Sequence, residues 1–364
     1  MTASKNIKIG IVIESNYSLV YFGFFAQKLV ENNFQVCFFA SSQTEVKQVY
    51  SPYLHQEHLL KYLREIKYDR ELIWYKDAEE LSRKLDLEKP KIVFAVEALP
   101  FTLKPELFED RPYRIWNIPH QVDNFHVRAV KKGAIDKSVA PFEKYGEYLG
   151  WQKGDFVVLG NPKYDNVSFL SAKATRDKYQ LPQNYILLLV PNVNLINPLI
   201  VYRIIKKIKR DSYEVVLKAK YPKCHHPVYK LMSKYYFLND ASFYPYITHE
   251  LICASSGVVG FDSTAVEEAL MYSKPLVNFS IKPYREKETM AGGFKQYLPL
   301  WKSEFCLDID FKKQNIVNVF KRIPDFTSHF KKKIDYEKIQ REKFFVPGNS
   351  ADRIINYIKN ELNL

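Results

Sequence analysis

Ser263 and Thr264 head a stretch, Asp262-Ser263-Thr264-Ala265-Val266-Glu267-Glu268-Ala269-Leu270, whose spacing suits phosphate chemistry. A helix beginning there offers unpaired backbone N–H groups together with two hydroxyls, which makes a seat for an anion. Glu268 follows Thr264 by four residues, one turn further along the same face, where a carboxylate can hold ribose hydroxyls. The same pattern also describes an ordinary capped helix, with Asp262 or Ser263 as N-cap and Glu267 and Glu268 complementing the helix dipole. Local pattern alone does not separate the two. The preceding segment 255–261 reads as a glycine-containing loop, and Lys274-Pro275 leads into a buried strand.

A second group of titratable residues lies in the first half of the chain. His120 and Asp123 follow the run Tyr113–Ile118, and Glu97 ends the run Lys91–Glu97, so all three stand where strands give way to loops. Histidine titrates near neutrality, which makes His120 the leading general base, with Asp123 and Glu97 as alternatives. A structural loop histidine is the competing assignment. Asn161 and Lys163 belong to Gly160-Asn161-Pro162-Lys163-Tyr164-Asp165 and are read as lining a cleft, with Gly160 and Pro162 shaping the turn. Cys224-His225-His226 invites a zinc reading, but no second ligand pair stands at metal spacing, so neither a metal nor a cofactor is expected.

The elements that must position these residues alternate in type. Short β-branched apolar runs read as buried parallel strands: Ile7–Ile13, Gln35–Ala40, Lys91–Glu97, Tyr113–Ile118, Ser138–Ala140 and Phe156–Leu159. Helices are expected at 18–32, 77–88 and 142–149, whereas 41–75 shows no clear motif. Glu14-Ser15-Asn16-Tyr17 follows the first strand where a dinucleotide fingerprint would stand, which argues against NAD or FAD. A second series follows, with strands at Tyr185–Val190, Tyr213–Lys218, Ser242–Tyr244, His249–Ala254 and Pro275–Phe279. Helices are expected at 197–209, 227–236, 263–272, 312–322 and 334–342, and the segment 347–354 opens a final amphipathic helix. The expected organisation is an N-terminal Rossmann-like domain over 1–165, a linker over 166–183, a second such domain over 184–345, and a C-terminal helix, 346–364, packing back on the first domain. Two doubly wound α/β domains then face each other across a cleft at the carboxyl ends of their strands, where ligands of such sheets bind.

Composition narrows the partners. The 364 residues are 46% hydrophobic and 26% charged, enough to build sizeable cores. A net charge of +13 points to something anionic: a nucleotide, a phosphorylated carrier or a lipid surface. The basic runs Lys206-Lys207-Ile208-Lys209-Arg210 and Lys331-Lys332-Lys333 read as solvated helix faces that could also dock on anionic lipid. No nucleic-acid-binding motif accompanies them, so no nucleic acid is expected. The four cysteines are scattered, no run spans a bilayer, and Met1-Thr2-Ala3-Ser4-Lys5 leads into a strand rather than a signal peptide. The expectation is a cytoplasmic protein, with peripheral contact at the inner face of the membrane.

Taken in order, several motifs resemble the GT-B-fold glycosyltransferases of bacterial surface polysaccharide synthesis, and within them the CDP-glycerol (teichoic acid) glycerophosphotransferase branch. The counterparts are His120, the stretch from Gly160 to Asp165, Leu217-Lys218, Ser263-Thr264 with Lys274-Pro275, and the segment from Gly348 to Ile354. They cover about residues 90–360. Two stretches depart from that pattern. Lys218-Ala219-Lys220-Tyr221-Pro222-Lys223-Cys224-His225-His226-Pro227 leaves either His226 or Lys220 in the phosphate-facing slot, and Pro119-His120-Gln121-Val122 replaces Trp-His-Gly-Thr. These changes open the donor to CMP-, CDP- or UDP-activated sugars.

The resemblance implies a metal-independent glycosyltransferase that moves a sugar to a saccharide or lipid-linked acceptor of a capsule, lipopolysaccharide or teichoic-type polymer. Ser263 and Thr264 would receive the leaving phosphate, Lys218, Lys220 or His226 would add charge, Glu268 would hold the ribose and His120 would deprotonate the acceptor. The alternatives are a CDP-polyol phosphotransferase of the same fold, a sugar-nucleotide 2-epimerase and a non-catalytic nucleotide- or carbohydrate-binding protein. The epimerase needs further acids and an arginine around the donor sugar, a set not placed in this sequence.

Overall fold

The computed structural model describes residues 7–14, 18–42, 56–68, 72–96, 101, 104–118, 135–141, 154–168, 170–190, 196–219, 226–238, 246–261, 265–280, 303–310, 328–343 and 348–364. In the first half, β1 (Lys8–Ile13), α1 (Ser18–Glu31), β2 (Gln35–Ser41), α2 (Gln56–Glu65), β3 (Ile73–Tyr75), α3 (Ala78–Glu88) and β4 (Ile92–Ala95) are followed by β5 (Arg114–Asn117), β6 (Lys137–Ala140) and β7 (Phe156–Val158). All seven strands pair in parallel in the order β3-β2-β1-β4-β5-β6-β7.

A 3-10 turn, Pro162–Ser168, leads to α4 (Ala172–Tyr179) and a second series. This comprises β8 (Tyr185–Leu189), α5 (Pro198–Arg210), β9 (Glu214–Lys218), β10 (Tyr236–Phe237), α6 (Ile247–Ala254), β11 (Gly257–Gly260), α7 (Ala265–Met271), β12 (Leu276–Ser280), β13 (Cys306–Asp310), α8 (Tyr336–Lys343) and α9 (Ser350–Glu361). Its six parallel strands run β10-β9-β8-β11-β12-β13. In both sheets the first and fourth strands of the series are neighbours, so strand order reverses between them. The reversal falls between β1 and β4 in one sheet and between β8 and β11 in the other, and in doubly wound sheets ligands bind at the carboxyl ends of such strands.

Sequence and structure differ at identifiable points. His249–Ala254 is helical, within α6, and the strand that pairs with β8 is Gly257–Gly260, part of the segment read as a loop. Glycine weakens strand propensity, which hid β11. The structure supplies the reason for Gly257: a Cβ there would meet the Phe330 ring at 2.3 Å. The helix expected at 227–236 is a short 3-10 turn, Pro227–Leu231, followed by the edge strand β10. The expected helices 142–149 and 312–322 and the strand Ser242–Tyr244 lie outside the described residues.

Local chemistry sets the helix ends. Asp77 caps α3 by accepting from the Glu80 N–H, Ser171 caps α4, and Asn197 caps α5 ahead of Pro198. The last helix, α9, leaves the second sheet and returns to the first. Ala351, Ile354, Ile355 and Ile358 join the core that contains Ile9, Ile11, Leu19 and Trp116. Burying each of the three isoleucines contributes about 1.5–3 kcal/mol. At its far end Glu361 pairs with Arg114 and Lys137, and the Lys137 ammonium also donates to the Tyr357 hydroxyl at 2.6 Å.

Candidate functional site

The turn Pro162–Ser168 sits where α1, α7 and α9 meet. Gly160 enters it with φ +89°, a left-handed conformation that glycine adopts without strain. The Asn161 carboxamide oxygen accepts from the Lys163 N–H at 3.0 Å and fixes the first bend. Consecutive side chains then point to different partners. Tyr164 enters the core of the second sheet beside Leu251 and Leu270. Asp165 reaches α9, where its carboxylate accepts from the Ser350 N–H at 2.9 Å and the Ala351 N–H at 2.6 Å. Two donors that a helix start leaves unpaired are thereby satisfied. Burial lifts the Asp165 carboxyl above its ordinary range, against the opposing pull of those hydrogen bonds. Arg353 completes the contact by donating from Nε to the Leu159 carbonyl at 2.9 Å.

Lys163 turns towards α7. Its ammonium lies 2.7 Å from Glu268 Oε1, with the two side chains 4% and 6% exposed. The rings of Tyr21 and Tyr164 stand 5.6 and 5.3 Å from the same nitrogen. Burial opposes the charge on Glu268, yet Lys163, helped by His249, holds the carboxyl well below the usual carboxylate range. His249 of α6 places Nε2 3.7 Å from Glu268 Oε1, beyond hydrogen-bond reach. Burial lowers its pKa despite the neighbouring carboxylate, which keeps the ring neutral at pH 7. Among the described residues neither His249 Nε2 nor the Tyr272 hydroxyl finds a hydrogen-bond partner. The cluster therefore holds one ionised pair and two buried polar atoms at the seam between the sheets.

The other expected site residues are dispersed. Lys218 ends β9, is buried, and donates to the Ala219 carbonyl at 2.9 Å. His226 is exposed, and its Nδ1 accepts from the Val228 N–H at 3.2 Å as the cap of the turn Pro227–Leu231. Glu97, His120, Asp123, Lys220, Ser263 and Thr264 lie outside the described residues. Their places in the chain are nonetheless fixed by their neighbours. Glu97 comes after β4, His120 and Asp123 after β5, Lys220 after β9, and Ser263 and Thr264 between β11 and α7. Each thus follows the carboxyl end of a strand. Among the described residues no group of three or more His, Cys, Asp or Glu could hold a metal, and no helix is long and apolar enough to cross a membrane.

Sequence reasoning missed His249, Tyr272 and the capping role of Asp165. His249 was assigned to a strand, and no local signal joins residue 165 to residue 350. Asn161, Lys163 and Glu268 were singled out, and the structure brings Lys163 and Glu268 together, each as the other's partner.

No protein-family model and no curated protein matches the chain. Solved structures do match, over nearly the whole length of both chains. The S. aureus MnaA-UDP co-structure aligns with TM-score 0.65 and 16% identity, covering 98% of this chain and 97% of the other. The UDP-GlcNAc 2-epimerase of Rickettsia bellii gives 0.62 and 14%, covering 98% and 97%. The Neisseria meningitidis UDP-GlcNAc 2-epimerase bound to UDP-GlcNAc gives 0.62 and 12%, covering 97% and 100%. A glycotransferase of kitacinnamycin aligns with a TM-score of 0.55 and 10% identity.

At these identities the likeness shows the fold, and the fold is GT-B: two parallel α/β units, as the sequence implied. The functional expectation is corrected. Structures of UDP-GlcNAc 2-epimerases, rather than glycosyltransferases, dominate these matches and give the higher TM-scores, which favours the epimerase alternative over sugar transfer to an acceptor. The CDP-glycerol glycerophosphotransferase branch finds no support among them. Two of the motifs that suggested it, Gly160–Asp165 and Gly348–Ile354, meet in one contact, through the bonds of Asp165 to Ser350 and Ala351.

Proposed function

We propose that the chain is a sugar-nucleotide 2-epimerase, which takes a nucleoside-diphosphate sugar and inverts the carbon next to the anomeric centre without an acceptor. One observation carries this reading: the alignment spans 97–98% of this chain and 97–100% of the two named epimerases, so no unit of either is left unmatched. UDP-GlcNAc is the substrate to try first, because the N. meningitidis enzyme is bound to it.

Ser263 and Thr264, between β11 and α7, would take the diphosphate at the second sheet's reversal point, with Lys218, Lys220 or His226 adding positive charge or donors. Glu268 is closed off by Lys163, and in this proposal it steadies the helix that follows those hydroxyls. Inverting a carbon that bears hydrogen requires that a proton leave one face while the C–H electron pair expels the nucleoside diphosphate from the anomeric carbon. A proton must then return on the other face as the diphosphate adds back, so two acid–base groups are needed. Glu97, His120 and Asp123, which come after β4 and β5 in the chain, are the candidates. No metal enters this scheme. The proposal extends to a cytoplasmic protein in peripheral contact with the membrane, in keeping with the absence, among the described residues, of a helix able to cross one.

The test is incubation with UDP-GlcNAc in deuterated water, followed by proton NMR. A second anomeric signal and deuterium at C2 are expected, with no acceptor added. Ser263→Ala should weaken UDP binding, read as loss of the ligand-induced rise in melting temperature. His120→Ala should keep that rise and lose the isotope exchange. Bound nucleotide with neither epimer nor exchange would refute the assignment.

A further inference from the structure

The layer that covers one face of the second sheet carries an unusual outer surface. Helix α5 lies there together with the turns Pro227–Leu231 and Ser328–Lys331, since Ile200, Val201, Ile204, Ile205 and Ile208 share a core with Tyr229 and Phe330. The buried residues of α5 recur at helical spacing, so its remaining face is outward. That face runs Leu199, Tyr202, Arg203, Lys206, Lys209 and Arg210, all exposed. The thirteen residues of α5 contain five basic side chains and no acid. Beside them, on the two turns and the residues that follow, Lys230, Lys331, Lys332 and Lys333 are exposed as well. The nearest acid, Asp211, lies 3.8 Å from Lys207, which points off the exposed stripe.

Charge alone would mark an ordinary solvated surface. The second feature is apolar. Six large hydrophobic side chains are exposed among the described residues, and three of them, Leu199 (64%), Tyr202 (40%) and Leu231 (86%), belong to this layer. Tyr202 also stands under the Lys206 ammonium at 5.0 Å, so the aromatic and basic groups are interleaved. Lysine and arginine around a few protruding apolar groups fit a surface that is anionic outside and hydrocarbon just beneath. Single-stranded nucleic acid would instead call for several stacking aromatics along a groove, and among the described residues of this layer Tyr202 is the exposed large aromatic.

We propose that this face, α5 with the two flanking turns, docks the protein on an anionic lipid bilayer, with Leu199, Tyr202 and Leu231 entering the interface. The docking is peripheral and reversible and is weakened by salt.

The test uses the full chain and co-sedimentation with vesicles, either of phosphatidylcholine alone or with about one third phosphatidylglycerol. Binding is expected only to the anionic vesicles, and it should fall as salt is raised. Reversing Lys206, Lys209 and Arg210 to glutamate should lower partitioning by about 100-fold or more, at roughly fivefold for each charge removed. Leu199→Ser with Tyr202→Ser should weaken binding while leaving the charge unchanged. The control reverses Lys61, Lys76 and Lys91, which are exposed in the first half of the chain, on α2 and beside β3 and β4, and carry the same total charge change. All these positions lie on the surface, and circular dichroism checks that each variant folds. Four outcomes would overturn the proposal. One is no binding to anionic vesicles at low salt. Another is equal loss in the control, which would make net charge the cause. A third is retention of an RNA oligomer but not of vesicles. The last is self-association, without lipid, that the α5 variants abolish, which would assign the face to a second copy.

Discussion

Replacing Lys163 by methionine isolates the joint between the two sheets. Methionine keeps the length of the side chain and removes the ammonium that lies 2.7 Å from Glu268, leaving a carboxylate that is 6% exposed. Removing one partner of a buried ion pair costs about 3–5 kcal/mol, because the other charge stays desolvated. At roughly 2–4 °C per kcal/mol for a unit of this size, the melting temperature should fall by on the order of 10 °C. The double variant Lys163→Met/Glu268→Leu should recover most of that loss, since a buried pair is often replaceable by apolar groups. The pH dependence supplies a second signature. In the wild type the Glu268 carboxyl is depressed below its unfolded value of 4.5, so the pair's contribution is complete above pH 4.5 and fades as pH falls towards the folded value. In Lys163→Met the carboxyl stays desolvated with only His249 beside it, and burial is expected to carry its pKa above the unfolded value. Its penalty is then relieved as pH falls through that raised value. The stability gap between the two proteins should therefore narrow from pH 7 to pH 4, as measured by thermal unfolding monitored by circular dichroism. A loss below about 1 kcal/mol, additive single and double variants, or a gap independent of pH would refute the assignment of this pair as the clasp.

Three further outcomes follow, two of them from the same region. Asp165→Ala leaves the Ser350 and Ala351 N–H groups without their acceptor and should cost about 1–3 kcal/mol. Hydrogen exchange should show the lost protection concentrated at the start of α9, and a uniform loss would contradict the capping role. His249 has a folded pKa below 6.5, so its stability contribution is present above pH 6.5 and lost as pH falls towards the folded value. His249→Phe should flatten the urea-unfolding free energy between pH 7 and pH 5, leaving a residual slope from His329, which burial lowers in the same direction. An unchanged slope would show that His249 is not buried neutral. Gly257→Ala should destabilise by about 1–3 kcal/mol through the Phe330 ring, and Phe330→Leu should relieve it. Equal loss with and without Phe330→Leu would move the cause elsewhere.

Much of the fold was legible because parallel strands buried on both faces leave continuous apolar runs. IKIGIVI, QVCFFA and YILLLV announce β1, β2 and β8 without any long-range information. Strands at the margins carried weaker signals. The two-residue edge strand β10 and the three-residue β3 are too short for periodicity to register, and β13 mixes Cys306, Asp308 and Asp310 with its apolar positions. β11 was hidden by its two glycines, although Gly257 is there because the Phe330 ring leaves no room for a Cβ. Those errors have one origin. A strand's identity at the edge of a sheet, or under a close neighbour, is set by tertiary contacts that local propensity does not record.

The site was legible in a different sense. Lys163 and Glu268 were singled out separately, more than a hundred residues apart, as groups facing a ligand. Their burial and their 2.7 Å contact instead give each a protein partner. Asp165, two residues on, is likewise taken up by the start of α9. The Gly160–Asp165 stretch and the Gly348–Ile354 stretch were both read as marks of one substrate branch, but they are the two halves of a single contact. In this chain the final helix that crosses back from the second sheet to the first is met by a capping acceptor, Asp165, with a left-handed glycine on either side of the contact. These are Gly160 at φ +89° and Gly348 at φ +55°. Such motifs therefore report the architecture faithfully and are silent about the substrate, which explains how the fold was read correctly while the reaction was not. The sequence candidates for substrate recognition that the joint does not include are Glu97, His120, Asp123, Lys220, Ser263 and Thr264, all outside the described residues. They follow strand ends in chain order, and only binding and exchange measurements on their variants will discriminate among reactions of this fold.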